Sequence, residues 1–130
     1  MAECEWMHVC DYAMRDHVGK LSLIGLFDTL GAGSVPVTHS KCFLAFRLKG
    51  VPGEEVPIEV KLVGPDGKIV WTAANPQSKI GPRGKAEHIF ELQGMPFPEF
   101  GRYEFQLWVG GTVMAWTPLD VKQMTRPQAC

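Results

Sequence analysis

The sequence has almost no excess of charge of either sign. Thirteen Lys and Arg residues stand against fourteen Asp and Glu residues, which leaves a formal net charge of −1 over 130 residues. Proteins that bind nucleic acids or anionic membranes usually carry a basic excess that attracts the phosphates. We therefore expect neither a nucleic acid nor a membrane surface as the partner.

Cysteine pairs, long apolar runs and an export signal are also missing. The four cysteines stand at positions 4, 10, 42 and 130 without any C-x-x-C spacing, so we interpret them as reduced thiols and not as a disulfide framework. No segment reaches the roughly 18 apolar residues of a membrane helix. The first residues lack the basic start and apolar stretch of a secretion signal. These absences predict a cytoplasmic protein.

Helical periodicity is the third absence. No window of about a dozen residues has apolar positions at i, i+3, i+4 and i+7 without an interrupting Gly or Pro. The chain has 14 glycines and 10 prolines, and 45% of its residues are hydrophobic. Its length corresponds to about one domain of roughly 100 to 200 residues. We therefore predict a single folded domain that is rich in turns and has no long helix.

Alternation with a period of two is abundant instead. Residues 56–62 place Val and Ile or Leu on one face and Pro, Glu and Lys on the other, the pattern of a half-buried strand. The turn Pro65-Asp66-Gly67 follows, and a second apolar run begins at Ile69. Pro presets its own φ and Gly tolerates a positive φ, so this segment predicts a β-hairpin.

A second hairpin is predicted around Gly110-Gly111. Residues 102–109 put Tyr103, Phe105 and Leu107 on one face. A two-residue turn predicts that Leu107 lies opposite Met114, and Phe105 opposite Trp116, on the core side of the two strands. Trp108 then lies on the opposite face, across from Val113.

About eight strands follow from these patterns and from similar runs bounded by Gly, Pro, Asp or Ser. An all-β chain closes its core as two facing sheets or as a barrel, because a single sheet leaves one apolar face in water. We predict an antiparallel two-sheet sandwich over residues 1–122 with a frayed tail at 123–130. The predicted strands are Glu5–Ala13, Lys20–Asp28, Lys41–Lys49, Val56–Leu62, Ile69–Thr72, Ala86–Gln93, Arg102–Val109 and Thr112–Val121, with irregular connections at Thr29–Ser40, Ala74–Lys85 and Gly94–Gly101.

Two segments carry a resemblance to a known family. They are Val9-Cys10-Asp11-Tyr12-Ala13, followed by Gly19-Lys20-Leu21-Ser22-Leu23-Ile24-Gly25-Leu26-Phe27-Asp28, and Phe100-Gly101-Arg102-Tyr103-Glu104-Phe105. The pattern resembles a family of small uncharacterised bacterial proteins, a domain of unknown function. The resemblance implies an immunoglobulin-like or C2-like sandwich and implies no catalytic residue, since fold does not determine function.

Exposed aromatic side chains are the strongest functional signal. An outward Trp108 beside Val113 and Ala115 is typical of a contact surface, because Trp is enriched at interfaces. Phe97 and Phe100 extend this apolar surface or close the end of the sandwich. We predict a non-catalytic accessory module that binds a protein partner or a second copy of itself, without a cofactor. The alternatives are a carbohydrate stacked on the outward indole, a metal site, and an enzyme whose site is built across strands.

The inward Cys and His residues are the candidates for a catalytic or metal site. His8 and Cys10 lie two residues apart, about 6.6 Å on a strand, too far for a thiol–imidazole dyad, and Asp11 faces the other side. The same spacing suits a metal better. Zinc needs about four converging ligands, and the candidates are His8, Cys10, Cys42 and His88.

Two loop features point to ions. Asp16, Asp28 and Asp66 stand at strand ends, where a C2-like domain gathers calcium ligands, but no Asp-x-Asp run concentrates them and turn chemistry explains them. The loop Lys79–Lys85 holds three cations and two glycines, a composition that suits an anion. It lacks the phosphate-loop order, which favours a solvated loop.

Overall fold

A computed structural model of the chain describes residues 2–124 and contains nine β-strands and no helix in that range. The strands form a four-stranded sheet, in the order β2-β1-β4-β7, and a five-stranded sheet, in the order β3-β9-β8-β5-β6. This confirms the predicted all-β two-sheet sandwich. The strands are β1 Glu3–Arg15, β2 Leu21–Leu26, β3 Thr29–Ala32, β4 Val37–Lys49, β5 Ile58–Val63, β6 Ile69–Asn75, β7 Lys85–Phe97, β8 Gly101–Val109 and β9 Thr112–Gln123.

One strand lies where an irregular connection was expected. Strand β3 pairs in parallel with β9, with Thr29 opposite Asp120 and Ala32 opposite Gln123, so the sandwich is not purely antiparallel. This pairing also carries β9 past the predicted end of the domain at 122. Of the predicted tail, residues 125–130, including the cysteine at 130, lie outside the described residues.

The second hairpin has the predicted turn but a different register. Trp108 lies opposite Val113 as predicted, but a β-bulge then shifts the pairing so that Leu107 lies opposite Ala115 and Gln106 opposite Trp116. A bulge adds one residue to one strand and exchanges the faces beyond it. The predicted pairs Leu107–Met114 and Phe105–Trp116 are therefore wrong, and Trp116 points away from the core.

The core lies between the two sheets and closes around Tyr103. The buried side chains of β4, β5 and β8 alternate inward from both sheets, as expected of a sandwich. Tyr103 is fully buried; its hydroxyl donates to the carbonyl of Glu99 at 2.7 Å and accepts the Glu99 N–H at 3.1 Å. This resembles the tyrosine corner of immunoglobulin-like sandwiches, and it ties the β7–β8 connection to β8.

Candidate functional site

The hairpin formed by the end of β1 and by β2 lies over the outer face of the four-stranded sheet. We call residues 11–26 the arm. Ala13 and Leu23 of the arm pack in one apolar cluster with Phe43 and Ile89, which lie on β4 and β7. Arg15 reaches Glu87 on β7, although β4 lies between β1 and β7. One face of the arm is thus buried against the sheet.

The backbone at Gly25 shapes the arm. Gly25 has φ +72°, and a Cβ at this position would lie 2.5 Å from the Asp11 carboxylate oxygen. Positive φ is easily adopted only by glycine. The positive φ and the close approach to Asp11 both occur where the chain enters and leaves the arm. A side chain at position 25 would therefore change the path of the backbone there.

The arm also exposes several large apolar side chains to solvent. Tyr12 and Ile24 are cross-strand partners, and Met14 and Leu26 lie two residues further along the same strands. Their exposed fractions are 46%, 56%, 40% and 58% in that order. Large apolar side chains that adjoin one another on a surface are typical of a contact site. The sequence pattern did not identify this face, because β2 carries apolar residues at both parities.

A groove runs between the tip of the arm and the sheet. It is an open cavity of about 580 Å³ lined by residues of the arm and of the sheet's outer face. Trp6 forms its aromatic wall: the imidazole of His8 stacks on the indole at 5.8 Å, and the Arg47 guanidinium lies 5.7 Å from the indole centroid. The remaining lining residues are Gly19, Lys20, Leu21, Leu23 and Glu87.

Two guanidinium groups converge on one carboxylate in this groove. Arg47 donates from Nε and Nη2 to Oε2 of Glu87, at 3.1 and 2.8 Å. Arg15 donates from Nη1 to Oε1 of Glu87 at 3.2 Å. The hydrogen bonds from Arg47, followed by those from Arg15, hold the pKa of the Glu87 carboxyl below its usual range against the opposing effect of burial. Glu87 is therefore ionised near neutral pH and fixes both guanidiniums.

A second cavity of about 360 Å³ adjoins the groove and shares Arg47 and Glu87 with it. Its other lining residues are Arg15, Gly81, Pro82, Arg83 and Lys85. Lys85 pairs with Glu5 at 3.5 Å. Five Arg and Lys side chains therefore surround the two cavities, and the carboxylates beside them are those of Glu87 and Glu5. The arrangement concentrates positive charge on a chain whose net charge is −1.

Trp108 faces away from the core, as predicted, but its ring is covered. The Lys61 ammonium lies 4.0 Å from the ring centroid, and the indole N–H donates to the Gln106 side-chain oxygen at 3.1 Å. Trp116 is the exposed indole of this sheet, with 55% of its surface accessible. A carbohydrate platform on this face would therefore use Trp116.

The other predicted contact residues are divided between surface and core. Val113 is 40% exposed. Ala115 packs against the core opposite Leu107, so its expected place on the outer face is wrong. Phe97 is buried and meets the Tyr103 ring edge-on at 5.1 Å, and Phe100 packs against the same core. These two rings close the end of the sandwich, the second of the two roles predicted for them.

The candidate zinc ligands do not converge. His8 and Cys10 lie on the outer face of the four-stranded sheet opposite Ala45 and Phe43, whereas His88 lies opposite the core residue Phe46 and Cys42 belongs to the main core. Among residues 2–124, no three His, Cys, Asp or Glu side chains are placed to hold a metal ion. Burial raises the pKa of the Cys42 thiol to about 12, which disfavours a metal-binding thiolate.

The strand-end aspartates make local turn contacts. Asp16 accepts the N–H groups of Val18 and Lys20 at 3.0 and 2.9 Å, and Asp66 accepts the N–H of Lys68 at 3.0 Å. This is the turn chemistry that Asp favours.

The sequence patterns gave no sign of a hydrogen bond between Ser78 and His88. The hydroxyl oxygen lies 2.9 Å from Nε2 of His88, and Ser78 is 4% exposed. Among the described residues, no carboxylate bonds to the second ring nitrogen, so the pair lacks the orienting group of a catalytic triad. The Val56 N–H also donates to the Ser78 carbonyl at 2.9 Å. The arrangement suits a buried structural contact.

Acidification should destabilise the fold through His88. Burial, and then the charge of Arg15, lower the pKa of this imidazole below its ordinary value of 6.5. The unfolded chain therefore takes up a proton before the folded chain does. We expect the free energy of unfolding to fall as the pH drops through about 6.5 and to level off below the folded-state pKa.

Urea unfolding at a series of pH values measures this loss. A His88→Gln variant removes the titrating group and should show a shallower decline over the same pH range. Equal slopes for the two proteins would contradict the assignment to His88.

Comparisons with known proteins agree with the architecture. The chain is similar to an immunoglobulin-like protein from Pseudomonas aeruginosa at 12% identity and a TM-score of 0.53; the match covers 94% of this chain and 97% of that one. It is also similar to part of the alkylpurine DNA glycosylase AlkC of Pseudomonas fluorescens, whose structure was solved bound to DNA with an abasic site analogue. That match has 11% identity and a TM-score of 0.58, and covers 93% of this chain but 30% of the glycosylase.

At these identities the two structures show the fold alone, which is immunoglobulin-like. No curated protein sequence matches the chain. Within the described residues, no helix is long and apolar enough to cross a bilayer. Residues 5–122 match the family of unknown function DUF6941, which confirms the resemblance to a domain of unknown function. The chain therefore belongs to the family of unknown function DUF6941.

Proposed function

We propose that this chain is a non-catalytic protein-binding module and that the outward face of the arm is its main contact surface. The observation that carries the proposal is the set of four exposed apolar side chains on the two strands of the arm, Tyr12, Met14, Ile24 and Leu26, of which Tyr12 and Ile24 are cross-strand partners. Apolar surface of this kind gains free energy when a partner removes it from water, by about 25 cal/mol per Å². The partner to be tested first is a second copy of the chain.

The position of the arm supports this role. Its other face is held by the cluster with Phe43 and Ile89 and by the ion pair between Arg15 and Glu87. A contact surface that is already ordered loses little conformational entropy when it binds. The immunoglobulin-like core therefore serves as the frame on which the arm is presented.

Replacing Ile24 by Thr should weaken self-association about fivefold, because part of one large apolar side chain is lost from the contact. Threonine keeps the β-branched shape and suits an exposed strand. Sedimentation velocity over a range of protein concentrations measures the dissociation constant. The matched control is Ile69→Thr, which removes an equally exposed isoleucine, 53% accessible, from the other sheet.

A wild-type protein that stays monomeric throughout would contradict the self-association. An equal effect of Ile24→Thr and Ile69→Thr would contradict the choice of the arm. Circular dichroism of Ile24→Thr and of Ile69→Thr establishes that each variant keeps the fold.

A further inference from the structure

We infer that the groove under the arm binds an extended acidic peptide segment with an apolar side chain beside its carboxylates. The inference rests on the protein-binding role proposed above and names a second, chemically distinct contact. The residues that carry it are those of the two adjoining cavities that share Arg47 and Glu87.

The first argument is the chemistry that the site already displays. Arg47 and Arg15 hold the carboxylate of Glu87 with three side-chain hydrogen bonds of 2.8 to 3.2 Å. A carboxylate thus fits the fork of these guanidiniums, and Glu87 keeps them in fixed positions. Pre-positioned cations bind a second carboxylate at a lower entropic cost than mobile ones.

The second argument is the surplus of positive charge. Glu87 and Glu5 neutralise only part of the charge of the five Arg and Lys side chains around the cavities. The side chains of Lys20, at the groove, and Arg83, at the second cavity, make no ion pair with any residue in the described part of the chain. Unpaired cations at both cavities favour a ligand that carries more than one carboxylate along its length.

The third argument is the apolar wall of the groove. Leu21 and Leu23 of the arm face the groove together with Trp6, and each of the three is only partly exposed. An apolar side chain of a ligand can pack against these residues while neighbouring carboxylates meet the cations. Successive side chains of an extended peptide point to opposite sides, so a peptide of alternating acidic and apolar residues can direct its carboxylates to the cations of the sheet and its apolar side chains to the leucines of the arm.

The two glycine amides of the loop after the groove do not form a backbone cradle for a phosphate. Phosphate sites in loops depend on backbone N–H groups that point at the anion. Here the Gly81 N–H donates to the Lys85 carbonyl at 2.9 Å, and the Gly84 N–H donates to the Gly81 carbonyl at 3.0 Å. These two amides are already used within the turn, so the loop contributes side-chain charge and not a backbone cradle.

Fluorescence anisotropy of a short fluorescein-labelled peptide of alternating Glu and Leu tests the inference with the full chain. We expect saturable binding that weakens as the salt concentration rises, and no binding of the same peptide with Lys in place of Glu. The double variant Lys20→Gln/Arg83→Gln should bind about fivefold to tenfold more weakly, since both cations are exposed. Lys122→Gln on the other sheet is the matched control and should bind as the wild type does.

An NMR titration locates the contact. The indole N–H signal of Trp6, assigned by its loss in Trp6→Phe, should shift with the peptide, while the signal of Trp116 should not. The inference is overturned if the Lys peptide binds as tightly as the Glu peptide or if the double variant binds like the wild type. The inference is also overturned if inorganic phosphate or a single-stranded oligonucleotide binds more tightly than the Glu and Leu peptide.

The two proposals fail separately. Ile24→Thr alters the outward face of the arm and should leave peptide binding unchanged, whereas Lys20→Gln/Arg83→Gln should leave self-association unchanged. If the peptide binds a protein that stays monomeric at every concentration, the proposed self-association is wrong and the proposed peptide site in the groove stands.

Discussion

Replacing Phe46 by Ala is expected to lower the free energy of unfolding by about 3–5 kcal/mol. Phe46 is fully buried on β4, where its ring stacks at 5.8 Å on Phe90 and lies 5.3 Å from the His88 ring. Truncation removes the transfer free energy of the ring and leaves a cavity that neighbouring β-strands cannot easily collapse. A domain of this size has a total stability of about 5–15 kcal/mol, so much of it would be lost.

Urea unfolding followed by circular dichroism measures this change. The matched control is Ile69→Ala, which removes an exposed apolar side chain and should change stability by no more than about 0.5 kcal/mol. A similar small effect for both variants would mean that the ring of Phe46 is not enclosed between the sheets.

Replacing Tyr103 by Phe is expected to cost about 1–3 kcal/mol, although only one oxygen atom is lost. The Tyr103 hydroxyl is the donor to the Glu99 carbonyl and the acceptor of the Glu99 N–H. Phenylalanine keeps the ring against Phe97 but leaves both backbone groups without this partner. Unsatisfied polar groups that are shielded from water account for most of the expected loss.

Tyr12→Phe is the control for this change. Tyr12 is 46% exposed and makes a ring contact with Phe43 at 5.4 Å, so loss of its hydroxyl should be almost neutral. Chemical denaturation of both variants compares the two hydroxyl groups directly. If Tyr103→Phe is as stable as Tyr12→Phe, the hydrogen bonds to Glu99 do not stabilise the β7–β8 connection.

The arm links the fold to the proposed functions. Its inner face uses Ala13 and Leu23 to stay on the sheet, its outer face exposes Tyr12 and Ile24, and its tip forms one wall of the charged groove. An apolar surface and a cationic groove are therefore built from one hairpin. Their positions depend on the same cluster around Phe43.

Local patterns predicted the strands well because a strand needs only a period of two and turn residues at its ends. The strand predicted at 56–62 is observed at Ile58–Val63, and the turn at Gly110-Gly111 lies where this reasoning put it. The prediction for Trp116 was wrong because one extra residue in the β8–β9 ladder exchanges the two faces of a strand. No residue type in Thr112–Val121 marks that bulge.

The amino-acid sequence by itself determined the all-β class, the sandwich and the outward direction of Trp108, since burial of apolar faces and turn chemistry act over a few neighbouring residues. Only the tertiary structure decided that the arm lies over the sheet, that Arg15 meets Glu87 across 72 positions of the chain, and that Lys61 covers Trp108. These contacts join residues from separate strands. Their formation depends on sheet order and register, which result from packing of the whole domain.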